Sequence, residues 1–403
     1  MVDHDDLLSL EDAVDRMRTH RGAMLETHRE TTIDIGRLDG RIIAEDVVAE
    51  RDRPAADHAT MDGYAFAAGD SGPLTVVDAD VFPEATPPAL EAGEAVRIAT
   101  GAPLPERADT VVKREDAVVD GSRLEKPDLA AGTYVYERGS NVTVGDRLYV
   151  PGDRLSAPDA ILLRDLGYEE LGVYEPFSIG VLATGTEIHE GKHADLDSPM
   201  LCNLFRRWGH NPIYEGSVPD DGTRVEDRIA ELAERHDVIV TTGGTSVGTK
   251  DYILDALSSL GEVDFHRVRI RPGKPIALAQ LPDHDALAVA IPGKPIGAFV
   301  SAAFVARALF TGEAATPTLE RTLTHDIGLG PEGFTYVVPV VLDGSDAVPL
   351  GHVDSPLAIY GERFDPSVLS SSTRAATADG FVTTTTDLVA GERVAVVPTT
   401  ALD

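Results

Sequence analysis

The 403-residue sequence carries 68 acidic against 35 basic side chains, a formal net charge of −33, with 42% hydrophobic and 5% aromatic residues. The hydrophobic share excludes a disordered chain, and the length allows about two to four domains of ordinary size. The charge repels nucleic acid and anionic membranes, and a single cysteine, Cys202, excludes an internal disulfide and any multi-cysteine zinc or iron–sulfur centre.

The acidic start MVDHDDLLSL lacks the basic-then-apolar pattern of a signal peptide. No stretch reaches the roughly 18 unbroken apolar residues of a membrane span. A cytoplasmic protein is expected. The basic residues are mostly arginine; an acid-rich, lysine-poor chain suggests a halophile's protein, kept soluble by hydrated carboxylates.

The first predicted element is a helix capped by Ser9, with Asp12 three residues on and Leu10, Val14 and Met17 along one face. From about residue 31 to 150 short β-like runs (42–48, 74–78, 110–113, 147–150) alternate with Gly and Pro turns. Pro158 and Asp159 open a helix that Gly167 can end. Strand and helix then alternate: an apolar run at 178–183, a helix capped by Ser198 with Pro199 at its first position, and a helix carrying Val225, Ile229 and Leu232. A buried strand at 237–241, a helix at 251–260, strands at 276–280 and 286–291, and a long buried helix at 295–310 follow. This order predicts an open, mostly parallel α/β sheet with ligands beyond the carboxyl ends of its strands. After residue 318 the pattern returns to short β runs, including 336–342 and 393–398, and predicts a small all-β domain.

The segment VIVTTGGTSVG (238–248) ends a buried strand in glycines, which let backbone N–H groups surround an anion at a helix start. The spacing of Gly243 and Gly248 resembles a P-loop, but Thr249-Lys250 follows where Lys-Ser/Thr is required, so a Walker ATPase is rejected. Asp251 either caps the next helix or holds a cation that bridges phosphates. In VLATGTE (181–187), Thr184-Gly185-Thr186 ends a strand, and Glu187 is either a surface turn residue or a functional group at the sheet's mouth. Two alike loops, Arg271-Pro272-Gly-Lys274-Pro and Ile291-Pro-Gly-Lys294-Pro, each aim an ammonium from a stiff turn and suggest an oxyanion or phosphate site. Asp62-Gly63 reads locally as a tight turn, and Arg97 with Thr100-Gly101 could hold a polar ligand. His189-Glu-Gly-Lys-His193 matches a zinc-protease pattern, but Gly191 interrupts the helix that such a site needs. Cys202 reads as a small core residue.

Together MDGYA at 61–65, RIATGAPLPERADTVVKRE at 97–115, GVLATGTEI at 180–188, TTGGTSVGTKDY at 241–252, RPGKP at 271–275 and IPGKP at 291–295 resemble the molybdopterin molybdenumtransferase family, of the MoeA and gephyrin E-domain type; the composition suggests a haloarchaeal-type member. The resemblance implies an elongated homodimer of four-domain subunits. Residues 1–50 with 140–176 would form a linker and dimerisation domain, 51–139 a β-rich domain, 177–318 the α/β molybdopterin-binding domain and 319–403 a β-barrel-like domain. The implied reaction inserts molybdate into adenylylated molybdopterin, with Mg²⁺, and releases AMP as the last step of molybdenum cofactor synthesis. By resemblance, Asp62 and Thr100, with Gly101 beside them, line the cleft from across the dimer. Glu187 and Asp251 serve magnesium and phosphate. Gly243, Gly244, Ser246 and Gly248 cradle phosphate, beside Thr184 and Gly185. Lys274 binds the oxyanion, with Arg271, Pro272 and Lys294 nearby.

The chain departs from the family pattern in its Pro-Gly-Lys294-Pro-Ile-Gly297, where Pro-Gly-Asn-Pro-Val-Ser is usual, and in Ser140-Asn141, Asp197-Ser198-Pro199 and Tyr336. A paralogue preferring tungstate, a pterin adenylyltransferase, and a non-catalytic pterin-binding scaffold are the alternatives. Partners implied are a second copy of the chain, the pterin adenylyltransferase and molybdoenzymes, with neither nucleic acid nor membrane.

Overall fold

A computed structural model describes residues 7–244 and 251–402. The first helix runs Leu10–Thr27; the Ser9 hydroxyl accepts from the Asp12 N–H at 3.0 Å, as its capping role requires. Ala13, Met17 and Leu25 are buried in the same apolar cluster as the helical end Arg307–Thr311. Arg21 reaches from this helix to the Gly152 carbonyl at 2.7 Å.

Strand Glu30–Asp34 pairs antiparallel with Glu170–Tyr174, and a core of Ile33, Ile43, Val47, Leu155, Leu163 and Val173 lies beside them. Helix Asp159–Leu166 ends at Gly167, whose φ of 98° is the left-handed cap expected of glycine. Between these pieces lies a six-stranded sheet ordered Thr110–Lys113, Gly63–Phe66, Glu94–Ile98, Leu74–Val81, Arg123–Leu124 and Val119–Asp120.

The α/β sheet has the order Asn211–Val218, Ser178–Thr184, Val238–Thr242, Ala286–Ile291, Ala277–Leu281 and Glu262–His266. The first four strands are parallel, Ala277–Leu281 runs against them, and Glu262–His266 pairs antiparallel with Ala277–Leu281. Alternate residues face opposite layers. Ile179, Val181, Val238 and Val240 pack with Leu201, Phe205, Ile296 and Leu309, whereas Leu182 and Ile239 pack with Val225, Ile229, Ile253 and Leu257. Helices therefore cover both faces, and the central strands read as apolar runs at 179–183, 238–240 and 286–291.

Two helix expectations shift. The helix expected to start at Pro199 runs Asp197–Arg207 after Leu196, so Ser198 lies inside its first turn and not at its cap. The 295–310 helix is Pro295–Ser301 and Arg307–Thr311 joined by a π-helical turn, Ala302–Ala306.

The C-terminal strands form a closed barrel. Thr335–Asp343 pairs with Asp346–Pro349, which lies parallel to Leu319–Leu323; that strand pairs with Arg393–Pro398, then Gly380–Thr384, which returns to Thr335–Asp343. Each of these five strands pairs with two others of the ring. The short strand Ile270–Arg271 adds in parallel to Thr335 and Tyr336, tying the Arg271 loop to the barrel. No helix among the described residues is long and apolar enough to cross a membrane.

Candidate functional site

A cleft of about 750 Å³ opens where the carboxyl ends of three parallel strands meet the short C-terminal helix Pro366–Leu369. Three backbone segments form its floor. Gly243 has a φ of 90°, and a side chain there would come 2.6 Å from the Thr184 carbonyl oxygen. A Cβ on Gly293 would meet the Gly243 Cα at 2.8 Å. Glycine at 243 and 293 is thus required for the Thr184, Gly243 and Pro292-Gly293 segments to touch backbone to backbone. The Gly243 N–H donates to Ile291 at 3.1 Å, and the Thr184 hydroxyl to the Thr242 carbonyl at 3.1 Å.

One wall is cationic. Arg271 lies 4.3 Å above the Phe334 ring and Lys274 5.8 Å from it, so an aromatic side chain from the barrel side helps hold both charges. Burial, and then the charges of Arg267 and Arg271, lower the Lys274 pKa below its usual range. Lys294 donates to the Ser367 carbonyl at 3.2 Å. Part of the lining is acidic. Glu187 and Asp220 both line the cleft, and Asp220 accepts the Thr186 N–H at 3.0 Å while its own N–H donates to the Thr186 hydroxyl at 3.0 Å.

Beneath the floor lies Asp197, 6% exposed. Its Oδ2 accepts the Thr242 hydroxyl at 3.1 Å, and its Oδ1 is buried without a partner. Burial pushes this carboxyl up to about 6, against the opposing effect of the Thr242 hydrogen bond.

Of the residues expected from sequence, Thr184, Gly185, Glu187, Gly243, Gly244, Arg271, Pro272, Lys274 and Lys294 share this cleft. Ser246 and Gly248 lie outside the described residues. Asp251 is the helix cap: its Oδ1 accepts the Leu254 N–H at 3.1 Å, its Oδ2 lies 3.8 Å from His266, and burial raises its pKa. It is not among the side chains that line the cleft. Asp62, Thr100 and Gly101 sit at the six-stranded sheet and do not line it either. Tyr336 is buried, with its hydroxyl on the Pro331 carbonyl at 3.0 Å. The His189 motif is broken as expected, since its helix ends at His189 and Gly191 has a φ of 70°. Cys202 is buried in the core.

Sequence reasoning missed Asp220 and gave Asp197 no role. The signal for Asp220 was its place just past a parallel strand's carboxyl end, where such sheets display functional groups. Asp197 gives no local signal, because its burial comes from segments far away in sequence.

At the sheet end the cleft joins a glycine floor, two lysine loops and two carboxylates. Comparison with known proteins gives the family. Residues 8–167 match the MoeA N-terminal region (domains I and II), and residues 180–311 match a probable molybdopterin binding domain. The chain is 31% identical over 293 residues to the molybdopterin molybdenumtransferase of Synechococcus elongatus, covering 67% of this chain and 72% of that one. It is 31% identical over 277 residues to the Haemophilus influenzae protein of the same name, covering 65% and 67%. Among solved structures, a molybdopterin biosynthesis MoeA protein from Pyrococcus horikoshii superposes with a TM-score of 0.73 at 21% identity, over 98% of this chain and 100% of that one. This chain belongs to the molybdopterin molybdenumtransferase (MoeA) family.

Proposed function

We propose that the chain inserts molybdate into adenylylated molybdopterin, releasing AMP, in the last step of molybdenum cofactor synthesis. The observation that carries this reading is the convergence of both Pro-Gly-Lys loops and the Gly243 floor on one cleft. Cleaving a phosphoanhydride calls for charge neutralisation and positioning more than for a covalent nucleophile. Arg271, Lys274 and Lys294 supply positive charge beside the glycine floor. Molybdate, a tetrahedral dianion, needs donors of the same kind.

Glu187 and Asp220 offer oxygen donors, the kind Mg²⁺ takes, in the cleft that also holds the cations, and these are the residues that would hold it. Bound there, Mg²⁺ would neutralise phosphate charge. Asp251 would act from the start of helix Tyr252–Leu260.

The working form is a homodimer in which Asp62 and Thr100 of each subunit complete the other's cleft. The support is that both belong to the outlying six-stranded sheet and neither reaches its own chain's cleft. The four-domain division is supported by separate apolar cores at 33–173 and 59–135, although the first helix packs on the α/β core. The protein acts in the cytoplasm and, given its charge, at high salt.

The test is AMP release from adenylylated molybdopterin with Mg²⁺, with and without molybdate, and with tungstate in parallel. Molybdate-dependent AMP is expected. AMP release indifferent to either oxyanion would overturn the reading. Tungstate outpacing molybdate would assign the chain to tungsten.

A further inference from the structure

On the C-terminal barrel, far in sequence from the cleft loops, three side chains converge that the proposed reaction does not use. His325 follows strand Leu319–Leu323, and His352 and Asp354 follow strand Asp346–Pro349. One ligand-type atom from each lies within 4.8 Å of the others, a grouping that no other His, Cys, Asp or Glu set makes among the described residues. The His325 Nε2 is 3.5 Å from Asp354 Oδ2, and the His352 Nδ1 is 3.7 Å from the same oxygen. The two imidazole centroids are 4.4 Å apart.

The Thr324 hydroxyl lies 2.7 Å from His325 Nδ1 and donates to the Ala347 carbonyl at 3.3 Å. In the tautomer that carries its proton on Nδ1, His325 keeps an Nε2 lone pair for the space beside Asp354. His352 Nδ1 accepts the Asp354 N–H at 3.3 Å, a long hydrogen bond that a cation on that nitrogen would replace.

We infer that His325, His352 and Asp354 form a binding site for a zinc-type divalent metal ion that clips the turn after residue 350 to the barrel wall. Ligands at about 2.0–2.1 Å from a tetrahedral ion are ~3.4 Å apart, so the separations to Asp354 need to close by only a few tenths of an ångström. Two imidazoles with one carboxylate suit zinc and its neighbours, whereas magnesium prefers oxygen. The Thr324 hydroxyl is the outer partner that orients a ligating histidine. Asp354 is largely exposed, which leaves the remaining position to water. The site clips two segments that the barrel already brings together: Thr324 bonds to Ala347, and His352 bridges to Tyr360.

The test uses the full, untagged chain stripped with EDTA and titrated with zinc by calorimetry near neutral pH, with cobalt as a spectroscopic probe. One zinc per chain, a melting temperature that rises with zinc, and tetrahedral-type cobalt absorption are expected. His325→Ala removes a partly exposed side chain, and circular dichroism confirms its fold. It should lose the cobalt spectrum and weaken zinc by more than the about tenfold to hundredfold that an outer-shell loss costs. His352→Asn and Asp354→Asn should do the same, while Glu187→Gln, in the cleft, should leave zinc binding intact. No bound zinc, or unchanged zinc binding in folded His325→Ala, overturns the inference; loss in Glu187→Gln alone would place the ion in the cleft and overturn it equally.

Discussion

Thr100 donates twice to a single oxygen of Asp62, from its backbone N–H at 2.7 Å and from its hydroxyl at 2.8 Å. These two bonds, the backbone one first, hold the Asp62 carboxyl below the usual carboxylate range, so it stays ionised through neutral pH. Residues that local sequence reads as two unrelated turns are thus one preset anionic group, displayed away from the chain's own cleft.

If that group serves the partner subunit, inactive chains should complement each other. Asp62→Ala mixed with Asp251→Asn restores one intact site in each heterodimer. Random pairing then yields about a quarter of wild-type AMP release, because half the dimers are mixed and each has one of two sites. Light scattering should show a dimer. A monomer, or no recovery after subunit exchange, would remove the composite site.

Asp197 should make stability depend on pH in an unusual direction. Its folded pKa, about 6, lies above the unfolded value of 3.8. Between these values the folded chain keeps a proton that the unfolded chain has released. Stability contributed by this group therefore falls as pH rises through that window, and the deficit is constant above it. Asp197→Asn keeps the shape without the charge. It should stabilise the protein by about 3 kcal/mol near pH 8 and by little near pH 4. Denaturant midpoints at both pH values measure this, and an equal effect at both would show that the carboxyl is not held protonated.

The two lysine loops should separate in their pH response. A hydrogen bond to a charged group contributes about 1.5–3 kcal/mol, so Lys274→Ala and Lys294→Ala should each weaken saturation by molybdate roughly tenfold to a hundredfold without altering the fold. Because the Lys274 pKa is lowered, anion affinity should fall as pH rises through it, and Lys274→Arg should flatten that limb. Wild-type molybdate dependence in both alanine variants would discard the oxyanion assignment.

A net charge of −33 repels itself until counterions screen it, and the Debye length shrinks to about 3 Å at 1 M salt. Thermal melts should move upward from low to multimolar KCl. A melting temperature indifferent to KCl would end the halophilic reading.

The sequence by itself determined what depends on near neighbours. Ser9 and Gly167 mark helix ends because caps are local hydrogen-bond and φ requirements. The runs at 178–183 and 237–241 are legible as strands because helices on both faces keep their central positions apolar. Once the sheet is parallel, topology puts the Thr184, Gly243 and Pro292 turns at one end, so the floor of the site follows from strand order. Tertiary structure alone decided what depends on segments distant in sequence. The start of the Asp197 helix, closure of the barrel, the Asp62–Thr100 pair, the burial of Asp197 beneath Gly243 and Gly293, and the approach of His325 to His352 carry no periodicity or local spacing. Each is set by which surfaces pack against each other, and the desolvation and close approach that give those side chains their chemistry exist only after that packing.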